Sequence, residues 1–241
     1  MKLLVSILLL IISLVACQPK IIQSTYKMEE VNQTLSLTDS IISPYKKSLD
    51  KEMKEVICFS EQAMEKGQPE SLLGNWVADL SFNYAKKSIN INPHFCILNY
   101  GGLRTSIPKG EITKERIYSL MPFDNELVVV VITKEKFNQL IKYLINVGGQ
   151  PTSNLIVSGS TENIKQIKIE GVDIESQKEF RVLTTDYLAK GGDKMDFFLN
   201  PIEVIYTNMK LRDVIINHCI DTNSKGKKIS SQLDNRISIN E

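Results

Sequence analysis

The stretch Asn99-Tyr100-Gly101-Gly102-Leu103-Arg104 decides how the rest of the chain is read. It follows a short apolar run, Phe95 to Leu98, and precedes Pro108 and Gly110, after which helical spacing resumes. An amide, two glycines and an arginine in one short loop off a strand exceed what a turn requires. Glycine lets the backbone pass close to another group because it has no Cβ. Asparagine offers both a donor and an acceptor, and arginine a planar fork suited to an anion. Alone, the stretch is either a turn or a binding loop. It is not a Gly-x-Gly-x-x-Gly fingerprint, and the chain has no Walker phosphate loop or Gly-x-Ser-x-Gly elbow.

Two further loops share its character. Met121-Pro122-Phe123-Asp124-Asn125 stands just before an apolar strand-like run, and Tyr187-Leu188-Ala189-Lys190-Gly191-Gly192-Asp193 stands just after another. Each lies at a strand end and offers an aromatic, an amide or a charged group. The alternative for Phe123 and Tyr187 is a place in the core, and for Asp193, after two glycines, a turn. Arg104, set between glycines and a proline, has the least structural purpose.

In order and spacing, these loops resemble the C-terminal domain of the bacterial and animal 5′-nucleotidases. That family carries Asn-Gly-Gly-Gly-Ile-Arg, then a Pro-Phe-Gly-Asn-type loop, then an aromatic separated by three residues from Gly-Gly-Asp. "LLGNWVADL" (72–80) and "GEIT" (110–113) match as well, so the resemblance covers roughly Ser71 to Phe198. It implies an α/β fold, a mixed-sheet domain of four α-β-β-α layers, that holds the nucleoside part of a substrate. On the matching positions, Phe123 and Tyr187 would stack on opposite faces of the base, each worth roughly 1–3 kcal/mol by analogy with other base stacking. Asn99 would bond the base edge, Asp193 the ribose hydroxyls and Arg104 the phosphate. Gly101 and Gly102 would admit the ligand close to the backbone, with Asn125 a supporting position. Tyr100 and Asp124 replace glycines of the pattern, and Tyr187 stands where many members have Phe. Pro69 stands where the animal enzymes carry a second phosphate-binding arginine.

Outward from the loops, Ser71 predicts a helix cap, with Leu73, Trp76, Val77, Leu80 and Tyr84 on one stripe. Asp79 on that helix reads as a capping or packing residue. Thr113 starts a short helix ending near Leu120, and Leu127 to Ile132 is a strand buried on both faces. Thr133 caps a helix with Phe137, Leu140, Ile141, Leu144 and Ile145 inward, closed by Gly148-Gly149. Strands are expected at 154–158, 164–170 and 180–184, a helix at 209–220 and a closing strand at 235–239. Ser43-Pro44 reads as the start of a helix carrying Tyr45, Leu49 and Met53 on one face. A short strand is expected around Tyr26 to Val31.

The ends and the bulk bound the function. The chain has 241 residues, 42% hydrophobic and 24% charged, with net charge +1, which predicts no nucleic-acid partner. Met1-Lys2 is followed by an apolar run to Val15, too short to span a membrane. With Leu14 and Ala16 before Cys17 it resembles a lipobox, the alternative being a plain secretory signal with an incidental cysteine. The expected organisation is a lipoprotein signal peptide at 1–16, a polar tether at 17–38 lipidated at Cys17, and the nucleotidase-like domain at 39–241. The expected location is the cell envelope, anchored to the membrane on its periplasmic or surface face. Cys58, Cys96 and Cys219 lie in apolar surroundings and read as buried thiols.

The chain has two histidines, His94 and His218, neither with a partner spaced as a metal ligand. Asn217-His218 faintly echoes a ligand pair but sits in an apolar helical stripe. Family enzymes hold two metals in a preceding metallophosphatase domain, for which residues 17–40 leave no room. The chain alone is therefore expected to bind nucleotides or nucleosides without hydrolysing them, with no catalytic residue or cofactor of its own. Divalent metals are expected only in a separately encoded metallophosphatase subunit. A stand-alone nucleoside-binding lipoprotein and a surface protein retaining only the fold are the alternatives.

Overall fold

The run Leu127 to Ile132 lies at the heart of the fold because both of its faces are covered. The computed structural model describes residues 28–88 and 92–239. Two compact units divide at Leu49 and Asp50. The second contains strands β1 (Val56–Ser60), β2 (Phe95–Ile97), β3 (Gly110–Thr113), β4 (Glu126–Thr133) and β5 (Thr152–Ser153). It continues with β6 (Leu155–Gly159), β7 (Ile164–Ile169), β8 (Glu179–Thr185), β9 (Glu203–Lys210) and β10 (Ile237–Ile239). Helix α1 (Met28–Met53) precedes them; α2 (Leu72–Ser88), α3 (Lys114–Leu120), α4 (Lys134–Asn146), α5 (Asp186–Ala189) and α6 (Leu211–Ser224) are interspersed.

The main sheet has the order β5-β2-β8-β4-β9, with β2 and β8 parallel and its other pairs antiparallel. Alternation along its strands feeds two cores. Leu127, Val129, Cys96 and Leu183 point to one face, where they meet α2, α3, α6 and the β1-β3 pair. Val128, Val130, Ile132, Phe95, Ile97 and Val182 point to the other, against α4 and the sheet β10-β6-β7. On that second face Phe137 of α4 stacks on Phe180, centroids 4.0 Å apart. Each such fully buried side chain contributes about 1.5–3 kcal/mol. The architecture is mixed α/β with mixed sheets.

Local signals act as read. Ser71 Oγ accepts from the Gly74 amide, and Thr113 and Thr133 accept from the Arg116 and Lys136 amides. Gly148 and Gly149 take φ of +79° and +100°, closing α4. Asp79 forms a two-bond ion pair with Arg236, which also reaches Asp234 and the Thr152 carbonyl, so α2 is tied to the approach of β10. Cys58, Cys96 and Cys219 are buried free thiols, and burial pushes Cys96 far above the usual thiol range. His94 is buried at the start of β2, and its Nδ1 accepts from the Arg181 amide.

Three readings change. Helix α1 begins at Met28, so Pro44 is inside it and residues 28–31, expected as strand, are its first turn. Apolar residues at 31, 35, 42, 45 and 49 hold a helical spacing across the proline, which removes one backbone bond without ending the helix. Tyr45 and Leu49 are exposed. Residues 203–210 form edge strand β9, so the last helix begins at Leu211 rather than Met209. The leader, Cys17 and the first part of the tether lie outside the described residues. Among the described residues no helix is long and apolar enough to cross a membrane.

Candidate functional site

Strand polarity explains why loops distant in sequence meet. β2 and β8 are parallel neighbours, with Phe95 beside Val182, so their C-terminal ends face the same way. β4 is antiparallel to β8, with Leu127 opposite Thr185, so the start of β4 sits beside the end of β8. Residues leaving β2, leaving β8 and entering β4 therefore gather at one end of the sheet. A cavity of about 270 Å³ opens there, lined by Asn99, Gly101, Gly102, Arg104, Phe123, Asn125, Tyr187 and Asp193. All eight residues singled out in the sequence are in that lining. A larger groove, about 820 Å³, opens between α2 and α6 beside Trp76 and His218. It includes none of those residues and no strand end.

Phe123 and Tyr187 are 39% and 44% exposed, large aromatic faces left open at a cavity wall. Tyr187 is carried by the short helix α5, whose Asp186 carboxylate accepts from the Glu126 amide at 3.0 Å. The aromatic is thereby pinned to the start of β4. Gly192 passes so close to the ring that a Cβ there would lie 2.5 Å from it. Arg104 sits over the Phe123 ring at 5.8 Å and donates weakly to the Gly101 carbonyl.

Asp193 is the hub of the site. Its backbone is left-handed, φ +53°, a conformation that aspartate tolerates better than most residues. Three donors hold it there. Asn99 Nδ2 donates to Oδ2 at 2.6 Å, the Tyr187 hydroxyl to Oδ1 at 2.9 Å, and the Tyr143 hydroxyl to its carbonyl at 2.9 Å. Asn99 is buried, and its donor bridges the β2 and β8 loops. Gly102 has no Cβ for a local reason, since one would lie 2.6 Å from Asn99 Oδ1. The Tyr187 phenol is raised above its ordinary value by its bond to Asp193, and Tyr143 chiefly by burial.

Supporting residues escaped the sequence reading. Gln150, buried after α4, accepts from the Tyr100 amide at 2.6 Å and donates to the Tyr143 hydroxyl at 3.4 Å, joining the first loop to the Asp193 network. Tyr100 does not line the cavity; its ring lies beneath the Lys66 ammonium at 4.1 Å. Arg212 of α6, 8% exposed, donates to the Met121 and Phe123 carbonyls, and its fork also meets Asp124. Its guanidinium lies over Tyr118 at 4.4 Å. Asp124 thus faces Lys210 and Arg212, which hold its carboxyl below the usual range. The one signal for Arg212 in the sequence is a cation beside an apolar helical stripe.

The cavity joins two aromatic faces, a carboxylate, an amide and a guanidinium, which suits a flat ring bearing hydroxyls and an anionic group. A two-metal centre does not fit this lining, which supplies one carboxylate and no imidazole. Among the described residues no three His, Cys, Asp or Glu side chains converge as metal ligands.

Residues 52–200 match the family described as 5′-nucleotidase, C-terminal domain. The chain is 30% identical over 179 residues to the trifunctional nucleotide phosphoesterase protein YfkN of Bacillus subtilis, covering 65% of this chain and 12% of that protein. It is 23% identical over 219 residues to a 5′-nucleotidase of Vibrio parahaemolyticus, covering 83% and 37%. The 5′-nucleotidase precursor of Thermus thermophilus has the same fold, with a TM-score of 0.69 at 21% identity over 85% of this chain and 43% of that one. So does the Haemophilus influenzae NAD nucleotidase, TM-score 0.63 at 18% identity, over 85% and 41%. The chain spans less than half the length of each of these relatives. With the family match running through all three loops and most of the folded unit, the chain belongs to the 5′-nucleotidase C-terminal domain family.

Proposed function

We propose that this chain is a nucleotide- and nucleoside-recognition domain of a 5′-nucleotidase-type phosphomonoester hydrolase in nucleotide catabolism, acting with a separately encoded metallophosphatase subunit. The observation that carries the reading is the cavity at the sheet end, where two exposed aromatics, Asp193 and Arg104 surround one small space. Phe123 and Tyr187 offer faces for the base, Asp193 accepts from ribose hydroxyls, and Arg104 pairs with phosphate. Asn99, with one N–H committed to Asp193, has its second for the base edge. The names of the relatives, nucleotidases and a nucleotide phosphoesterase, agree with that ligand class. In this reading the divalent metals reside in the partner, and a lipid on Cys17 holds the chain in the cell envelope.

Calorimetric titration with adenosine and AMP tests the ligand, and phosphate release from AMP with and without an exported metallophosphatase tests the partnership. Phe123→Ala is expected to weaken both ligands by roughly tenfold, the worth of one stacking contact. Metal-dependent hydrolysis of AMP by the purified chain alone would overturn the division of labour. Binding without any turnover in the mixture would leave a stand-alone nucleoside-binding lipoprotein.

A further inference from the structure

Taking the cavity as a nucleoside site, as proposed above, we infer that the phenolic hydroxyl of Tyr187 is a positioning group that sets the Asp193 carboxylate to receive a ribose diol. The ring supplies the stacking face in either case, and a phenylalanine, which many family members carry at this place, would do so equally. The hydroxyl adds something a phenylalanine lacks. It donates to Asp193 Oδ1 at 2.9 Å, while Asn99 Nδ2 donates to Oδ2 at 2.6 Å.

The consequence follows from the inventory of a carboxylate. Each oxygen has two acceptor positions. One donor on each oxygen fixes the rotation of the group and leaves one acceptor position free on each, a matched pair for two neighbouring hydroxyls. Asp193 is exposed, so without both donors its side chain would turn freely in water. The two donors come from different loops, and the backbone of Asp193 is itself held by the Tyr143 hydroxyl. Gly192 lets the Tyr187 ring lie against the backbone, since a Cβ there would meet the ring at 2.5 Å. The stacking face and the sugar acceptor are therefore one hydrogen-bonded unit with a set separation. A ligand gains from this unit in proportion to the hydroxyls it presents.

Titration of the full chain with adenosine and with 2′,3′-dideoxyadenosine separates the hydroxyl from the ring. Tyr187→Phe is expected to weaken adenosine roughly five- to tenfold, the worth of one hydrogen bond, and to leave dideoxyadenosine within twofold. Asp193→Asn is expected to erase the preference for adenosine, and adding Tyr187→Phe to it is expected to change adenosine binding no further. Equal weakening of both ligands by Tyr187→Phe overturns the inference, because the hydroxyl would then serve the ring or the loop. No change in either ligand overturns it too. Both of those outcomes leave the nucleoside reading intact. Failure of the unmutated chain to bind either ligand overturns the nucleoside reading and this inference with it.

Discussion

At the residue scale, glycines at this site make room for neighbouring side chains. Gly102 accommodates the Asn99 amide and Gly192 the Tyr187 ring, and neither has positive φ. The distinction predicts an uncoupling of stability from binding. A Cβ at Gly192 would meet the Tyr187 ring at 2.5–2.7 Å, but that ring is exposed and can swing outward. Gly192→Ala is therefore expected to cost under about 1 kcal/mol in urea unfolding, as surface changes with a yielding neighbour do. The swing takes the hydroxyl off Asp193 and the face off the cavity, so adenosine affinity is expected to fall by tenfold or more on the same sample. A large loss of stability with unchanged affinity would refute this account. Tyr100 teaches the converse. A tyrosine in a glycine pattern reads as an intrusion into the site, yet it turns away beneath Lys66.

At the scale of elements, the Phe123 loop is fastened by a helix far away in sequence. Arg212 at the first turn of α6 reaches back to the carbonyls of Met121 and Phe123 from within the protein. Replacing it by methionine keeps much of the packing and removes the donors. Arg212→Met is expected to cost about 2 kcal/mol, since hydrogen bonds involving a charged group contribute about 1.5–3 kcal/mol. Amide exchange of residues 121–125 should quicken beyond what the global loss explains, which hydrogen-exchange measurements would detect. This anchor also marks the limit of what the sequence disclosed. Caps at Ser71, Thr113 and Thr133 and the stripe of α4 were legible because each depends on residues within one or two turns. β9 was not, because an edge strand carries half-exposed residues and Lys210, where it meets α6, makes no side-chain cap. Pro44 misled because proline opening a helix is the commoner arrangement. The eight lining residues were legible through three ordered loops. Gln150, Tyr143 and Arg212 support those loops across distances in sequence that only packing reveals.

At the scale of the whole molecule, the central sheet makes both cores and the site depend on one set of strands, so a weakness where its inner strands join reaches everything. His94 is such a point. It precedes β2 and is 7% exposed, and its Nδ1 accepts the Arg181 amide of the neighbouring strand β8. Burial, and then the nearby Arg181 charge, lower its pKa from 6.5 to about 4. The unfolded chain therefore binds this proton more readily than the folded one. Stability is complete above the unfolded value near 6.5 and is lost progressively as pH falls toward about 4, by up to about 3 kcal/mol for this histidine. His218, lowered mainly by burial, loses stability in the same sense. Asp124, Asp221 and Asp234, held down by their cationic partners, add their losses only as pH falls below the ordinary carboxylate range. Urea unfolding at pH 7, 5.5 and 4.5 should thus show a decline in the wild type that is shallower in His94→Gln. The glutamine keeps an acceptor for the Arg181 amide but takes up no proton. The variant is expected to be less stable at pH 7 through imperfect packing and to converge on the wild type near pH 4.5. Parallel declines in the two proteins would move the acid sensitivity away from His94 and the join between β2 and β8.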